Sequence, residues 1–369
     1  MKLKYPGYID QIAPYVPGKP IETLEREYGI RESIKLASNE NPLGPSPKAL
    51  EAARASLAKL NRYPDGSGHA LVQRLAAHLS QRWAVGPSQI VLGNGSDDIL
   101  GLLARVLLQA GDEVIIPTPS FLMYEIVARS AGARILEVPL KQLAIDLSSI
   151  LARVGPRTRM IFLCNPNNPT GSMFSSDECD AFMAQLSPEV VVVVDEAYIE
   201  FARDARCARG LTYLAAERPV VTLRTFSKVY GLAGLRVGYG VMPAALAELV
   251  NRVRMPFNVN SVAQAAACAA LDDTDFLQRT VSLVHTELDY LYAELSRRGV
   301  PFFPTQSNFF LIDVDREADR VFEELLREGV IVRSMRAYGF PRYIRVNVGL
   351  RTENERFLTA LSKVLAQTG

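Results

Sequence analysis

Thr225–Gly240 reads Thr-Phe-Ser-Lys-Val-Tyr-Gly-Leu-Ala-Gly-Leu-Arg-Val-Gly-Tyr-Gly. A β-branched run from Val220 to Leu223 delivers the chain to two hydroxyls, Thr225 and Ser227, and Lys228 follows at once. A glycine-studded loop then leads to Arg236. An amine beside hydroxyls, glycines and a guanidinium suits covalent capture of a carbonyl compound that also carries a phosphate, since lysine forms Schiff bases with carbonyls. A strand ending in a solvated lysine and a flexible turn is the plainer alternative. By itself the stretch favours that alternative, so the rest of the chain has to decide.

Working outward, short apolar runs recur at Gln89–Leu92, Glu113–Ile116, Arg134–Val138, Met160–Leu163, Val190–Val194, Val220–Leu223 and Val237–Val241. Helical segments such as Asp97–Gln109, Phe121–Ala131 and Ser176–Leu186 lie between most of them, which predicts a mostly parallel seven-stranded sheet with helical crossovers. The unbroken valines of Val190–Val194 mark a strand buried on both faces. In such sheets ligands bind just beyond the carboxyl ends of the strands, so the residues after each run carry the information.

After the first run comes Gly93-Asn94-Gly95-Ser96-Asp97-Asp98, glycines opening a helix whose N–H groups can hold a phosphate. Ser96 as a plain helix cap, with the two acids favouring the dipole, is the alternative. Because those acids partly oppose a phosphate, such a cradle must use main-chain groups while the carboxylates point aside. After Met160–Leu163 comes Asn165-Pro166-Asn167-Asn168-Pro169-Thr170-Gly171, a loop stiffened by two X-Pro steps, with amides that donate without adding charge; a plain turn would also fit. After Val190–Val194 comes Asp195-Glu196-Ala197-Tyr198. An acid at the mouth of a buried strand is costly without a partner. A protonated pyridine nitrogen would be one, and keeping it protonated makes the ring an electron sink; capping the following helix is the commoner fate of such an acid. Taken singly, each plain alternative would win. Together, four consecutive strand ends offer a phosphate turn, an asparagine loop, a buried acid with a tyrosine, and a lysine. All four fit one cofactor, pyridoxal 5′-phosphate.

Composition narrows the remaining classes. The 369 residues exceed one ordinary domain. Lys and Arg (41) balance Asp and Glu (40), so no bulk field favours nucleic acid or an anionic membrane, and any basic residue that matters must act within a site. The first residues show no signal-peptide pattern, and no run is long and apolar enough to span a membrane. Cys164, Cys179, Cys207 and Cys268 are scattered, which fits reduced thiols in a cytoplasmic protein. His69, His78 and His285 have no metal-ligand spacing, so no metal is expected. Residues 1–30 read as a proline-bearing arm that joins a small domain, and Ser46-Pro47 as the start of a helix ending near Asn61. A large domain is expected over 31–272. Over 273–369, strands at Phe309–Val314, Val330–Arg333 and Tyr343–Val348, with helices at Glu317–Glu328 and Thr352–Gln367, predict a smaller α+β domain.

With these residues in view, the chain resembles the fold type I, class II pyridoxal-phosphate-dependent aminotransferases, and among them the histidinol-phosphate aminotransferase family. Asn165–Gly171, Asp195–Tyr198, and Ser227-Lys228 with Arg236 eight positions on (236 − 228 = 8) are the superfamily marks. Leu36–Pro42, Tyr15–Pro20 and Asn61–Asp65 are the subfamily-like ones. The resemblance implies that Lys228 carries the cofactor as a Schiff base and, once freed, moves the proton at the substrate α-carbon. It implies that Asp195 pairs with the pyridine nitrogen and that Asn168 with Tyr198 holds the ring hydroxyl oxygen. The main-chain N–H groups of Ser96 and Asp97, with Thr225 or Ser227 and Arg236, would hold the phosphate. Phe121 would stack on the ring where relatives commonly place a tyrosine. Tyr63 would reach the phosphate from a neighbouring subunit, making a homodimer with shared sites. Tyr15, Asn39, Arg333 and Arg345 would bind substrate, the arginines gripping anions through planar contacts. The reaction implied is L-histidinol phosphate plus 2-oxoglutarate to imidazole-acetol phosphate plus L-glutamate. An aromatic amino-acid aminotransferase and a threonine-phosphate decarboxylase share this scaffold. A regulator with an aminotransferase-like sensor would need an appended DNA-binding segment, and none is expected.

Overall fold

The computed structural model describes residues 3–15, 18–216 and 218–367; Val16 and Pro17 of the Tyr15–Pro20 stretch lie outside the described residues. The apolar runs become strands β1 (Ile90–Gly93), β2 (Glu113–Thr118), β3 (Arg134–Pro139), β4 (Thr158–Cys164), β5 (Val191–Asp195), β6 (Val220–Thr225) and β7 (Gly238–Val241). They form one seven-stranded sheet in the order β1-β7-β6-β5-β4-β2-β3. Only β7 runs antiparallel to its neighbours, β1 and β6. The mostly parallel α/β architecture expected from the sequence is therefore present.

The reason for unbroken apolar strands is visible in β5. Alternation sends Val191 and Val193 to one face, with Phe162 and Leu103, and Val192 and Val194 to the other, with Ile161 and Phe182. Both faces are covered, so no position along the strand tolerates a polar side chain until its last residue, Asp195. Each valine buried this way contributes about 1.5–3 kcal/mol.

Register then aligns the strand ends. Cys164 lies opposite Asp195, Asp195 opposite Leu223, Thr225 opposite Gly238, and Gly238 opposite Gly93. Because β7 is antiparallel, it starts at the edge where β6 stops. Arg236, two residues before it, therefore returns to the place where Lys228 left the sheet.

Two local expectations shift, and one helix had no expectation at all. The helix opening at Ser46, whose hydroxyl accepts from the Ala49 N–H at 3.3 Å, is α-helical only over Pro47–Ser56. A 3-10 turn over Leu57–Lys59 closes it before Asn61, as the Ser56 hydroxyl turns back onto the Ala52 carbonyl. Val330–Arg333 is not one strand. Val330–Ile331 pairs in parallel with Ile34–Lys35, while Arg333–Ser334 joins another sheet. That sheet contains β8 (Phe302–Phe303), β9 (Phe309–Asp313), β10 (Arg333–Ser334) and β11 (Tyr343–Asn347), antiparallel throughout in the order β10-β11-β9-β8. Val330, Ile331 and Val332 are all buried, so the chain has to change partners between Ile331 and Arg333. Finally, Ala244–Val253 forms a helix that the sequence pattern did not single out.

The helix Ile21–Tyr28 packs through Leu24 against Leu326 and Ile331, and so belongs beside the C-terminal sheet. No helix among the described residues is long and apolar enough to cross a membrane.

Candidate active site

The levelled strand ends open onto a cavity of about 230 Å³. Lys228 reaches it from the loop after β6. Its Nζ donates to the Ser38 carbonyl at 3.3 Å and lies 5.7 Å from the centre of the Tyr198 ring. Burial, with the Arg345 charge second, lowers its pKa to about 8. An appreciable fraction of the amine is therefore neutral, and nucleophilic, near neutral pH.

Asp195 ends β5 with only 4% of its surface exposed. Its Oδ2 accepts from the Tyr124 hydroxyl at 2.7 Å and its Oδ1 from the Ala197 N–H at 3.1 Å. Burial raises its pKa to about 6, against the pull of those two hydrogen bonds. A carboxylate left in this state gains from a cation in the cavity.

At the end of β1, Gly95 (φ 79°) is the N-cap of the helix Ser96–Leu107 and has no side chain with which to bond the first-turn N–H groups. Ser96 is thus the first helical residue and not the cap. The first-turn N–H groups and the positive end of the dipole face the cavity together. Only one of the two acids turns aside, since Asp97 stays on the cavity wall beside the Arg236 guanidinium, which offsets its charge. The Asp98 carboxylate accepts from the Asn94 N–H at 3.0 Å and the Asn258 amide at 2.8 Å, while Asp97 meets Arg236 at 3.4 Å. Arg236, itself at φ 55°, also donates to Ser227 Oγ at 3.4 Å, and Thr225 Oγ1 accepts from the Ser227 N–H at 3.1 Å. Glycine is required for this convergence. A Cβ at Gly95 would stand 2.6 Å from the Arg236 guanidinium, and one at Gly238 would stand 2.5 Å from the Ser96 nitrogen.

Opposite the lysine, the Tyr198 hydroxyl accepts from the Asn39 amide at 3.0 Å and the Asn168 amide at 3.5 Å. Its own proton is left to donate. Arg345, on β11, donates to Asn168 Oδ1 at 2.6 Å and to the Ala37 carbonyl at 2.9 Å, and its guanidinium lies 5.0 Å from the Phe309 ring. Its Nε is buried without a hydrogen-bond partner. Arg333, on the neighbouring β10, and Tyr15 line the same cavity. So does Phe121, which meets Tyr15 and Tyr124 edge to face at 6.5 and 5.6 Å.

Every site residue expected from the sequence lines this cavity except Tyr63. Tyr63 is 83% exposed and stacks on Phe257 at 4.8 Å, away from this chain's own cavity. Sequence reasoning missed Tyr124, Cys164 and Tyr338. Tyr124 had a usable signal, since it stands three residues after Phe121 at helical spacing. Tyr338 sits in a 3-10 turn (Arg336–Tyr338) that carries no such pattern.

A lysine-centred cavity at the carboxyl ends of a mostly parallel seven-stranded sheet, with a helix N-terminus beside it, defines a fold type I transferase. The chain belongs to the class I and II aminotransferase family, whose model matches residues 31–361. Histidinol-phosphate aminotransferase 2 of Pseudomonas aeruginosa is 49% identical over 368 residues, covering 99% of this chain and 98% of the relative. The histidinol-phosphate aminotransferase of Moorella thermoacetica is 44% identical over 356 residues, with coverage of 96% and 91%. Among solved structures, histidinol-phosphate aminotransferase from Sinorhizobium meliloti, in complex with pyridoxal-5′-phosphate, superposes with a TM-score of 0.90 at 28% identity, covering 100% of this chain and 99% of that one. Thermus thermophilus aspartate aminotransferase shares the fold, with a TM-score of 0.85 at 21% identity and coverage of 98% and 100%.

Proposed function

We propose that this aminotransferase holds pyridoxal 5′-phosphate on Lys228 and transfers the amino group of L-histidinol phosphate to 2-oxoglutarate, yielding imidazole-acetol phosphate and L-glutamate. The donor set fits the cofactor. The uncapped helix start at Ser96, the Arg236 guanidinium and the Thr225 and Ser227 hydroxyls suit its phosphate. The buried Asp195 suits a pyridinium nitrogen, and the Tyr198 proton suits a ring oxygen. When bound, the cofactor supplies an aldehyde and an electron-accepting ring that stabilises negative charge at the substrate α-carbon.

The chain's own groups do the rest. Lys228 Nζ, neutral in part near pH 7, is the base that takes the α-proton and the acid that returns it. Asn39 and Asn168 orient the Tyr198 hydroxyl, and Phe121, packed edge to face on Tyr15 and Tyr124, lends apolar surface to the cavity wall. One observation carries the substrate assignment. Arg345 and Arg333 share a pocket with Tyr15 and Lys228, and burial, with Arg333 adding to it, lowers the Arg345 pKa. A pocket that holds two mutually repelling guanidiniums favours an anion, a phosphate in one half-reaction and a carboxylate in the other. The curated relatives' names point the same way.

Comparing kcat/KM for histidinol phosphate and phenylalanine, each with 2-oxoglutarate, tests this reading. We expect histidinol phosphate to be preferred by roughly 10²-fold or more, since binding one extra charge through paired arginines is worth about 2–5 kcal/mol. A preference for phenylalanine, or carbon dioxide released from threonine phosphate, refutes the assignment.

The protein is also read as a cytoplasmic homodimer. Its four cysteines are unpaired, consistent with a reducing compartment. Exposed Tyr63 and Phe257 form an aromatic pair suited to a partner's cavity rather than to their own. Mixing Tyr63→Ala with Lys228→Ala subunits should restore activity, because one hybrid site then carries both wild-type groups. No recovery in the hybrid counts against shared sites.

A further inference from the structure

Tyr124 has no role in the reaction as described so far, yet it touches two of the groups that shape the cavity. It is fully buried, its ring stacks on Phe162 at 4.7 Å and 4°, and its edge contact with Phe121 is nearly perpendicular at 88°. Its hydroxyl donates to Asp195 Oδ2 at 2.7 Å. A phenylalanine would fill the same core space, and a hydroxyl in an apolar pocket is costly unless it is bonded. Its justification is therefore the bond to Asp195, an O–H to carboxylate contact of the strong, charge-assisted kind.

The surroundings of Asp195 make that bond matter. Cys164 at the end of β4, Glu196 and Tyr198 just beyond β5, and Asp97 on the first helical turn all face it. Asp97 and Glu196 repel its charge. Burial pushes up the Cys164 thiol and the Tyr124 and Tyr198 phenols, so all three stay neutral. Among the described residues two hydrogen bonds favour the carboxylate: one from the Ala197 N–H, which belongs to the same turn, and one from the Tyr124 hydroxyl, which comes from another element.

We propose that Tyr124 is a positioning residue that locks the Asp195 carboxylate toward the cavity through its hydroxyl while backing the Phe121 ring with its own. The proposal rests on the reading of Asp195 as the partner of the cofactor's ring nitrogen. It adds a role for a side chain of the helix Met123–Ser130, 71 residues from the acid it serves.

Tyr124→Phe keeps the ring on Phe162, so the variant folds and loses only the hydroxyl. Titrating pyridoxal 5′-phosphate into the cofactor-free variant, followed by protein fluorescence, should show affinity weakened by about tenfold or more, the scale of one hydrogen bond to a charged group. The acid limb of the kcat pH profile should move to higher pH, because Asp195 then needs a higher pH to ionise. In an Asp195→Asn background the same change should alter cofactor affinity by less than about twofold, since the charge it served is gone. Unchanged affinity and an unmoved acid limb in Tyr124→Phe overturn the proposal. So does an equal loss in both backgrounds, which assigns Tyr124 to packing alone. If Asp195→Asn by itself binds the cofactor as tightly as the parent, the reading of Asp195 fails, and the role of Tyr124 fails with it.

Discussion

Replacing Lys228 with alanine will abolish transamination and the visible absorbance of the lysine-bound cofactor. The cavity has other polar groups, but Asp195 is engaged below by Tyr124 and Ala197, and Tyr198 is held by two amides. Among the described residues no other amine lines the cavity. Both the covalent tether and the proton carrier are lost with Nζ. General acid–base catalysis alone is worth about 10²–10⁴-fold, so kcat should fall by roughly 10³-fold or more. Retention of full turnover by Lys228→Ala sinks the mechanism. The same amine predicts a pH dependence. Its pKa is depressed to about 8, so it becomes neutral as pH rises through that value and not through the ordinary lysine range. The rate at which cofactor-free protein captures pyridoxal 5′-phosphate should therefore climb with pH and level off above about 8. Continued rise to pH 10 would mean the lysine titrates as in water.

The second large effect is expected at Arg345. Changing it to glutamine removes a buried guanidinium that faces the pocket and also spans Asn168 and the Ala37 carbonyl. Losing one partner of a buried charged contact costs about 2–5 kcal/mol, so kcat/KM should fall by roughly 10²-fold or more for both the phosphorylated donor and 2-oxoglutarate. The cofactor's absorbance should survive, because the phosphate cradle at Ser96 and Arg236 lies elsewhere in the cavity. Arg345→Lys should recover only part of the loss, since an ammonium lacks the planar fork. If KM for both substrates stays at its parent value, Arg345 supports the fold and does not read the substrate.

The pattern legible in the sequence was local by nature. Strands buried on two faces must be continuously apolar, so Val190–Val194 announced itself. Loops that receive a ligand need glycine, proline or short polar side chains, so the segments after β1, β4, β5 and β6 did too. Short pairings left no such trace. Ile34–Lys35 has two residues, too few for any periodicity, and its partner Val330–Ile331 read as part of a longer run.

By itself, then, the sequence determined the sheet, the strand ends and the chemical kinds of residue standing on them, because each follows from periodicity or composition within a few positions. The tertiary structure alone decided which of those residues meet. Arg345 reaches Asn168 across 177 residues, Asn39 reaches Tyr198 across 159, and Tyr124 reaches Asp195 across 71. These contacts arise because register levels the strand ends and the antiparallel β7 brings Arg236 back beside Lys228. Register depends on which strands pair, and pairing depends on burying both faces of the whole sheet at once. No single stretch, including Thr225–Gly240, contains that information.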